Sequence, residues 1–179
     1  SALIYYTKGM NLSVGNDNVW YNRFRIKRCE TLPLVALFNE ALQEFESIRI
    51  DSLPAEDQTL AFDAGRQLYS DVASLYVDHP EHYRTWNDRS LEMQEQLIRH
   101  SEPNSQMCKF NQAEYLFMTG EYQKSRTMLM ELFDELPPDS NLAARVANKL
   151  SRIAAYKDNV NEEMYYLAKS AMADIKSAT

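Results

Sequence analysis

Glycine, proline, cysteine and histidine are all scarce in this 179-residue chain, and each shortage removes a class of answer. Four glycines (Gly9, Gly15, Gly65, Gly120) and six prolines that fall between apolar-periodic segments favour long helices joined at punctuated turns. No run alternates apolar and polar residues through a series of strands. Cys29 and Cys108 lie far apart with no Cys-x-x-Cys spacing, so neither a zinc site nor a disulfide framework is signalled. A glycine-rich phosphate loop, His-Glu-x-x-His and Gly-x-Ser-x-Gly are all missing, and the carboxylates sit opposite the apolar stripes; the chain reads as non-catalytic, with no cofactor and no metal. No apolar run of transmembrane length and no signal peptide is visible. Basic residues are outnumbered, giving a net charge of -7 and a pI near 5.0, which makes nucleic acid or an anionic membrane a poor default partner. What remains is 45% hydrophobic content, enough for one compact domain or a short repeat array. The apolar pattern is already under way at the first residues and still helical at Ile175 to Thr179, so the chain is expected to be a piece of a longer protein.

Along the chain, Tyr5, Gly9 and Leu12 share a helical face, and Ser13 to Asp17 breaks it. Asn18 to Glu30 is ambiguous: Trp20, Phe24 and Cys29 suit a helical stripe, whereas Phe24 and Ile26 between Arg23, Arg25 and Lys27 suit a short strand; helix is preferred. Thr31 as N-cap and Pro33 in the first turn would open a long helix carrying Leu34, Leu37, Phe38, Ala41, Leu42, Phe45 and Ile48. Ala61, Ala64, Gly65, Leu68, Val72 and Leu75 mark the next helix, which must stop before Pro80, and Tyr83, Trp86, Ser90, Met93 and Leu97 mark its successor. Helix 106–119 is apolar on more than one side and should lie between neighbours. Two more follow the Pro137-Pro138 stop, one from an Asp139-Ser140 cap to about Lys157, one capped by Asn161 with a buried stripe of Met164, Leu167, Ala168, Ala171 and Ile175.

The stretch around Gly120 organises the rest. Glycine disfavours a helix interior, and the apolar residues after it, Tyr122, Leu129, Leu132, Phe133 and Leu136, recur at helical spacing, so one helix stops, turns and starts again. Gly120 and Tyr122 set hairpin geometry on this reading. The first helix of each hairpin carries a small residue followed three later by leucine: Gly9 and Leu12, Gly65 and Leu68, Ala113 and Leu116, Ala147 and Leu150, the last two pairs 34 positions apart. A small residue lets a paired helix approach closely.

The run Ala113, Leu116, Gly120, Tyr122, Ser125, Leu129 and Pro137 resembles the tetratricopeptide (TPR) repeat. That resemblance implies an all-α fold, a right-handed superhelix of about four TPR-like hairpins in a single domain over 1–179, with hairpins near 2–50, 58–99, 106–137 and 141–177. Lys109 stands where the repeat usually has a large apolar residue, Ser125 and Leu132 where it usually has alanine, so looser or rearranged packing is expected there. The last eighteen residues, from Glu162, resemble the final hairpin helix of TPR-containing, membrane-anchored transcriptional regulators of Gram-negative gut bacteria, a domain of unknown function. This second resemblance implies the periplasmic part of a membrane-anchored protein, with a cytoplasmic location as the alternative, and a sensor or interaction role in signal transduction with a protein or peptide partner.

If the first helices of the hairpins line an inner face, the residues projecting from it are Tyr6, Met10, Phe62, Arg66, Tyr69, Phe110, Glu114, Phe117, Asn148 and Arg152. Aromatics framed by Arg, Glu and Asn suit a peptide or partner helix, although such stripes usually belong to the core. A small-ligand pocket near Trp20 and Trp86 is the alternative. Arg23, Arg25, Lys27 and Arg28 with Trp20, Tyr21 and Phe24 could hold an anionic partner, but a solvated face beside a buried stripe is the simpler account and no nucleic acid is expected. Asp78-His79-Pro80-Glu81-His82 holds metal-ligand types without a third spaced histidine or cysteine, which fits a polar turn.

Overall fold

The computed structural model describes residues 2–15, 17–156 and 160–177, and among them every regular element is helical. They fall into two compact units, 1–100 and 101–179.

The first unit holds α1 (Ala2–Ser13), α2 (Asn18–Thr31), α3 (Phe38–Glu46), α4 (Ala55–Ser74) and α5 (Pro80–Arg99). Residues 18–31, ambiguous in sequence, are helical because Asp17 caps them, its side chain accepting from the N–H groups of Val19 and Trp20. The long helix expected from Thr31 does not form. Thr31 closes α2 with its hydroxyl bonded back to the carbonyls of Lys27 and Arg28, and Pro33 has no N–H with which to continue. A 3-10 turn, Pro33–Val35, leads instead to Ala36 at φ 61°, and the chain reverses before α3. Leu34 and Leu37 are therefore exposed, while Ala41, Phe45 and Ile48 enter the core. The first hairpin is α1 with α2, and α3 is an additional helix between α2 and α4.

This insertion changes what the small residues do. Gly65, in the middle of α4, receives the Phe45 ring of α3, so the visitor is not the hairpin partner α5. The leucines of the small-residue pairs diverge as well: Leu68 and Leu150 are buried, but Leu12 is 78% exposed because α1 packs on α2 and turns its other face, Tyr5 included, to solvent.

The second unit holds α6 (Gln106–Met118), α7 (Tyr122–Glu135), α8 (Asn141–Tyr156) and α9 (Val160–Ser177). Gly120 does what its sequence context predicts. At φ 84° its N–H bonds the Phe117 carbonyl and the Glu121 N–H bonds that of Leu116, a Schellman closure that a left-handed residue makes possible. Ser105 caps α6 and Ser140 caps α8. The cap expected at Asn161 lies outside what is described, α9 being described over Val160–Ser177.

Ser125 does not loosen its hairpin. It is fully buried, and its hydroxyl donates to the Ala113 carbonyl at 2.8 Å. Ser90 donates likewise to Arg66 and Ser170 to Ala144, so three hairpins are each pinned by a serine of the second helix on the backbone of the first. Lys109 reaches Glu135 at 2.9 Å across its hairpin. On α9 the buried face is Tyr166, Ser170 and Ala173, and the stripe expected to be buried faces out, with Met164, Leu167 and Ile175 40–68% exposed. The helix is apolar nearly all round, so periodicity could not choose the face.

Candidate functional site

Of the ten residues expected to line an inner face, five lie in the second unit, and the structure brings these together. Phe110, Glu114 and Phe117 of α6 face Asn148 and Arg152 of α8. The Arg145 guanidinium sits over the Phe110 ring at 4.6 Å, Lys149 pairs with Glu114 at 2.9 Å, and Arg152 sits over Phe117 at 5.4 Å. Each contact joins positions 35 apart in sequence. Constant offset means that α6 and α8 run parallel and in register, close to the 34-residue interval between Ala113 and Ala147.

The face is built in two levels. Glu114 and Lys149 are both buried, and the Lys149 ammonium also lies 4.3 Å from the Phe117 centroid, so this ion pair forms a neutral floor. Above it stand exposed Arg145, Asn148 and Arg152. Tyr156, 67% exposed, stacks on Tyr122 at 5.1 Å and meets Phe117 edge-on, extending the aromatic surface to the α6–α7 turn. Tyr122, assigned from sequence to hairpin geometry, thus also borders the face. Arg145, Lys149 and Tyr156 were missed. A signal for them exists in the sequence, since α8 carries three cations and no carboxylate in a chain of net charge -7.

The other five residues lie in the first unit and form no common face of this kind. Tyr69 is core, packed edge-on to Phe45 and stacked on Trp86 with Arg89 over the pair. Burial pushes its phenol above the ordinary range. Arg66 pairs with Asp63 along its own helix. Phe62 is buried against the His100 ring and borders an open cleft of about 430 Å³ with Arg49 and Gln96. Met10 is half-buried, and Tyr6 lines a smaller apolar cleft of about 220 Å³ with Trp20, Phe24 and Leu60. Trp86 does not line Trp20's cleft; it is partly buried and packs against the core cluster.

The basic run on α2 is committed internally. Arg23 holds the buried Asp57 of α4 at 2.7 Å, and Arg28 holds Glu44 of α3 at 2.9 Å while also reaching Thr7 of α1. Arg25 bonds the Glu44 carbonyl and the Ser47 hydroxyl, and Lys27 pairs with Glu30. Arg23, Arg25 and Arg28 fasten α1, α3 and α4 around α2, and a phosphate would have to displace these internal partners. Cys29 sits among them fully buried, its thiol pushed up to about 12 by desolvation, with the Glu44 carboxylate adding to it. In the 78–82 turn, His79 and His82 meet edge-on and His82 stacks on Tyr76. Among the described residues, no group of three or more metal-ligating side chains converges, and no helix is long and apolar enough to cross a membrane.

Neither the curated proteins nor the solved structures include a match to this chain. Its family is nonetheless defined, because the profile described as the SusR N-terminal TPR domain matches residues 1–179, the full length given, and the parallel α6–α8 arrangement and serine-pinned hairpins are those of a helical-repeat protein. The chain belongs to the SusR N-terminal TPR domain family.

Proposed function

We propose that this chain is the partner-binding, sensing part of a bacterial regulatory protein, and that it takes up a peptide or protein segment along the α6–α8 face without doing chemistry on it. Membership of a regulator's TPR family supports an interaction or regulatory role in general. The observation that carries the finer reading is the face itself: Phe117, Tyr122 and Tyr156 form a continuous aromatic surface flanked by exposed Arg145, Asn148 and Arg152. Aromatics and arginine are the side chains that interfaces concentrate. We further propose that the domain lies in the periplasm as part of a membrane-anchored protein.

A photo-crosslinking residue placed at Asn148 in the parent protein tests the binding reading in cells. Adducts from position 148 that are absent from the exposed position Gln67 of α4 are expected; equal adducts from both positions, or none from either, would count against the α6–α8 face. For location, a fusion to a phosphatase active only in the periplasm should be active, and an inactive fusion beside an active cytoplasmic reporter would reverse the assignment.

One observation favours a second reading. The cleft lined by Tyr6, Trp20, Phe24 and Leu60 is almost wholly apolar and leaves Trp20 51% exposed, so a small apolar or aromatic molecule could enter it. Its volume of about 220 Å³ is below the usual range for drug-sized ligands, roughly 300–1,000 Å³. A ligand there must raise apparent stability, and a small-molecule panel that leaves the unfolding midpoint unmoved at saturating concentration would remove this alternative.

A further inference from the structure

We infer that the segment bound on the α6–α8 face is acidic, an extended peptide with two carboxylates three residues apart; this rests on the proposed use of that face. Arg145 and Arg152 are the ground for it. Both are exposed, neither pairs with a carboxylate among the described residues, and each guanidinium is held over a phenylalanine ring. In contrast, Arg23, Lys27 and Arg28 of α2 are each paired with an internal acid, and Arg25 lies 3.9 Å from the Glu44 carboxylate while bonding that residue's carbonyl. The one carboxylate on this face, Glu114, is buried and ion-paired with Lys149 at 2.9 Å, so its charge is offset there and does not cancel the two arginines. α8 itself has no acidic residue. In a chain of net charge -7, two preoriented and uncompensated guanidiniums on one face point to an incoming negative charge.

The spacing sets the partner's form. Seven residues of α-helix separate Arg145 from Arg152, a rise of about 10 Å. A peptide in the extended polyproline II form advances about 3.1 Å per residue with three residues per turn, so glutamates at i and i+3 lie on one side and about 9 Å apart, close to the arginine spacing. Asn148, midway and exposed, can bond the peptide backbone between them, and Tyr156 with Phe117 offers an apolar surface beyond the second carboxylate. Long polyanions suit the site poorly because the rest of the molecule repels them, whereas two local charges experience mainly the arginines at physiological screening lengths of about 8 Å.

An array of immobilised synthetic peptides, probed with the full 179-residue chain, tests this. It should contain Glu-x-x-Glu peptides with an aromatic residue following, their Gln-x-x-Gln counterparts, and scrambled sequences. The expected result is selective retention by the Glu-x-x-Glu set, about tenfold weaker for the glutamine set, reduced by salt, and lost in the R145Q/R152Q variant. Both substitutions are at exposed helix positions, and an unchanged unfolding midpoint will show that the fold is intact. Equal binding of glutamate and glutamine peptides, lost in Y156A, would overturn the acidic partner while leaving the face. Binding insensitive to both variants, or no binding to any peptide, would overturn the face as well.

Discussion

Replacing Gly65 by alanine puts two effects of similar size in direct opposition. On propensity alone the change should help, because alanine is favoured over glycine by about 1 kcal/mol inside a helix and Gly65 lies near the centre of the 20-residue α4. The new methyl group, however, would meet Phe45 Cζ at 2.2 Å, with both Cε atoms within 3.0 Å. Carbon atoms rest at about 3.5–4.0 Å, so either the ring or α3 must move by more than 1 Å. Phe45 has no open space to move into: it is 4% exposed and sits edge-on to Tyr69 at 5.6 Å. Overpacking of this kind costs about 1–3 kcal/mol, and displacing the ring also loses part of an aromatic contact worth about 0.5–1.5 kcal/mol. The net expectation is destabilisation of about 1–2 kcal/mol.

The sign should reverse when the ring is removed. Leucine at position 45 has no atom where Cζ and the Cε carbons stand, so Gly65→Ala in a Phe45→Leu background should stabilise by about 0.5–1 kcal/mol, leaving only the propensity and chain-entropy gain. Trp20 and Trp86 are the chain's only tryptophans and both lie in the first unit, so urea unfolding followed by tryptophan fluorescence reports on that unit alone. A Gly65→Ala protein more stable than wild type, or one that loses the same stability in both backgrounds, would refute the close approach of Phe45.

Three further outcomes follow from the same structure. Ser125→Ala should fold and cost about 1 kcal/mol, the usual value of one buried hydrogen bond, read as a lower urea midpoint by circular dichroism; no change would mean the bond to Ala113 contributes nothing. Lys149→Met should cost about 3–5 kcal/mol by leaving the buried Glu114 carboxylate alone, and adding Glu114→Gln should restore most of it, whereas purely additive losses would show that the pair is not coupled. Cys29, in a Cys108→Ala background, should react with a thiol reagent at pH 8 only at the rate of opening. Because its folded pKa is raised from 9.0 to about 12, the unfolded chain ionises first, and its contribution to stability is complete below pH 9 and lost as pH rises towards 12. Cys29→Ala should flatten that decline relative to wild type, and an identical alkaline profile would show the thiol is not held protonated.

Local chemistry was legible in the sequence wherever it was self-contained. The Gly120 turn, the Pro137 stop and the burial of Ala61, Ala64, Leu68 and Val72 of α4 and of Leu129 and Leu132 of α7 could be read because a left-handed glycine, the restriction before proline and a 3.6-residue period act within a few residues, whereas Leu75 is exposed, Phe62 and Tyr69 are buried, and α4 ends at Ser74 with Pro80 opening α5. Thr31-x-Pro33 misled because a proline near a helix end fits a start or a stop, and only the back-bonded Thr31 hydroxyl and Ala36 at φ 61° decide between them. The burial of α9 was illegible for a different reason. Met164, Leu167 and Ile175 are as apolar as Tyr166 and Ala173, so hydrophobicity does not distinguish the faces, and the face that packs carries Ser170, whose hydroxyl bonds the Ala144 carbonyl.

For the candidate site the division falls between charges that are spoken for and charges that are not. The Arg23 to Arg28 run is the densest basic stretch, yet its partners Asp57 and Glu44 lie 34 and 16–19 residues further along, and only folding shows that they neutralise it. Arg145 and Arg152 look ordinary in sequence, two turns apart on an amphipathic helix. Their distinction is negative: nothing acidic on α8, and a neighbour α6 whose single facing carboxylate is taken by Lys149. A parallel two-helix register converts that local absence into an exposed pair of guanidiniums over aromatic rings. Charge density along the sequence therefore marks a clamp that fastens α1, α3 and α4 to α2 within the first unit, and charge left over after pairing is the ground for the proposed partner surface.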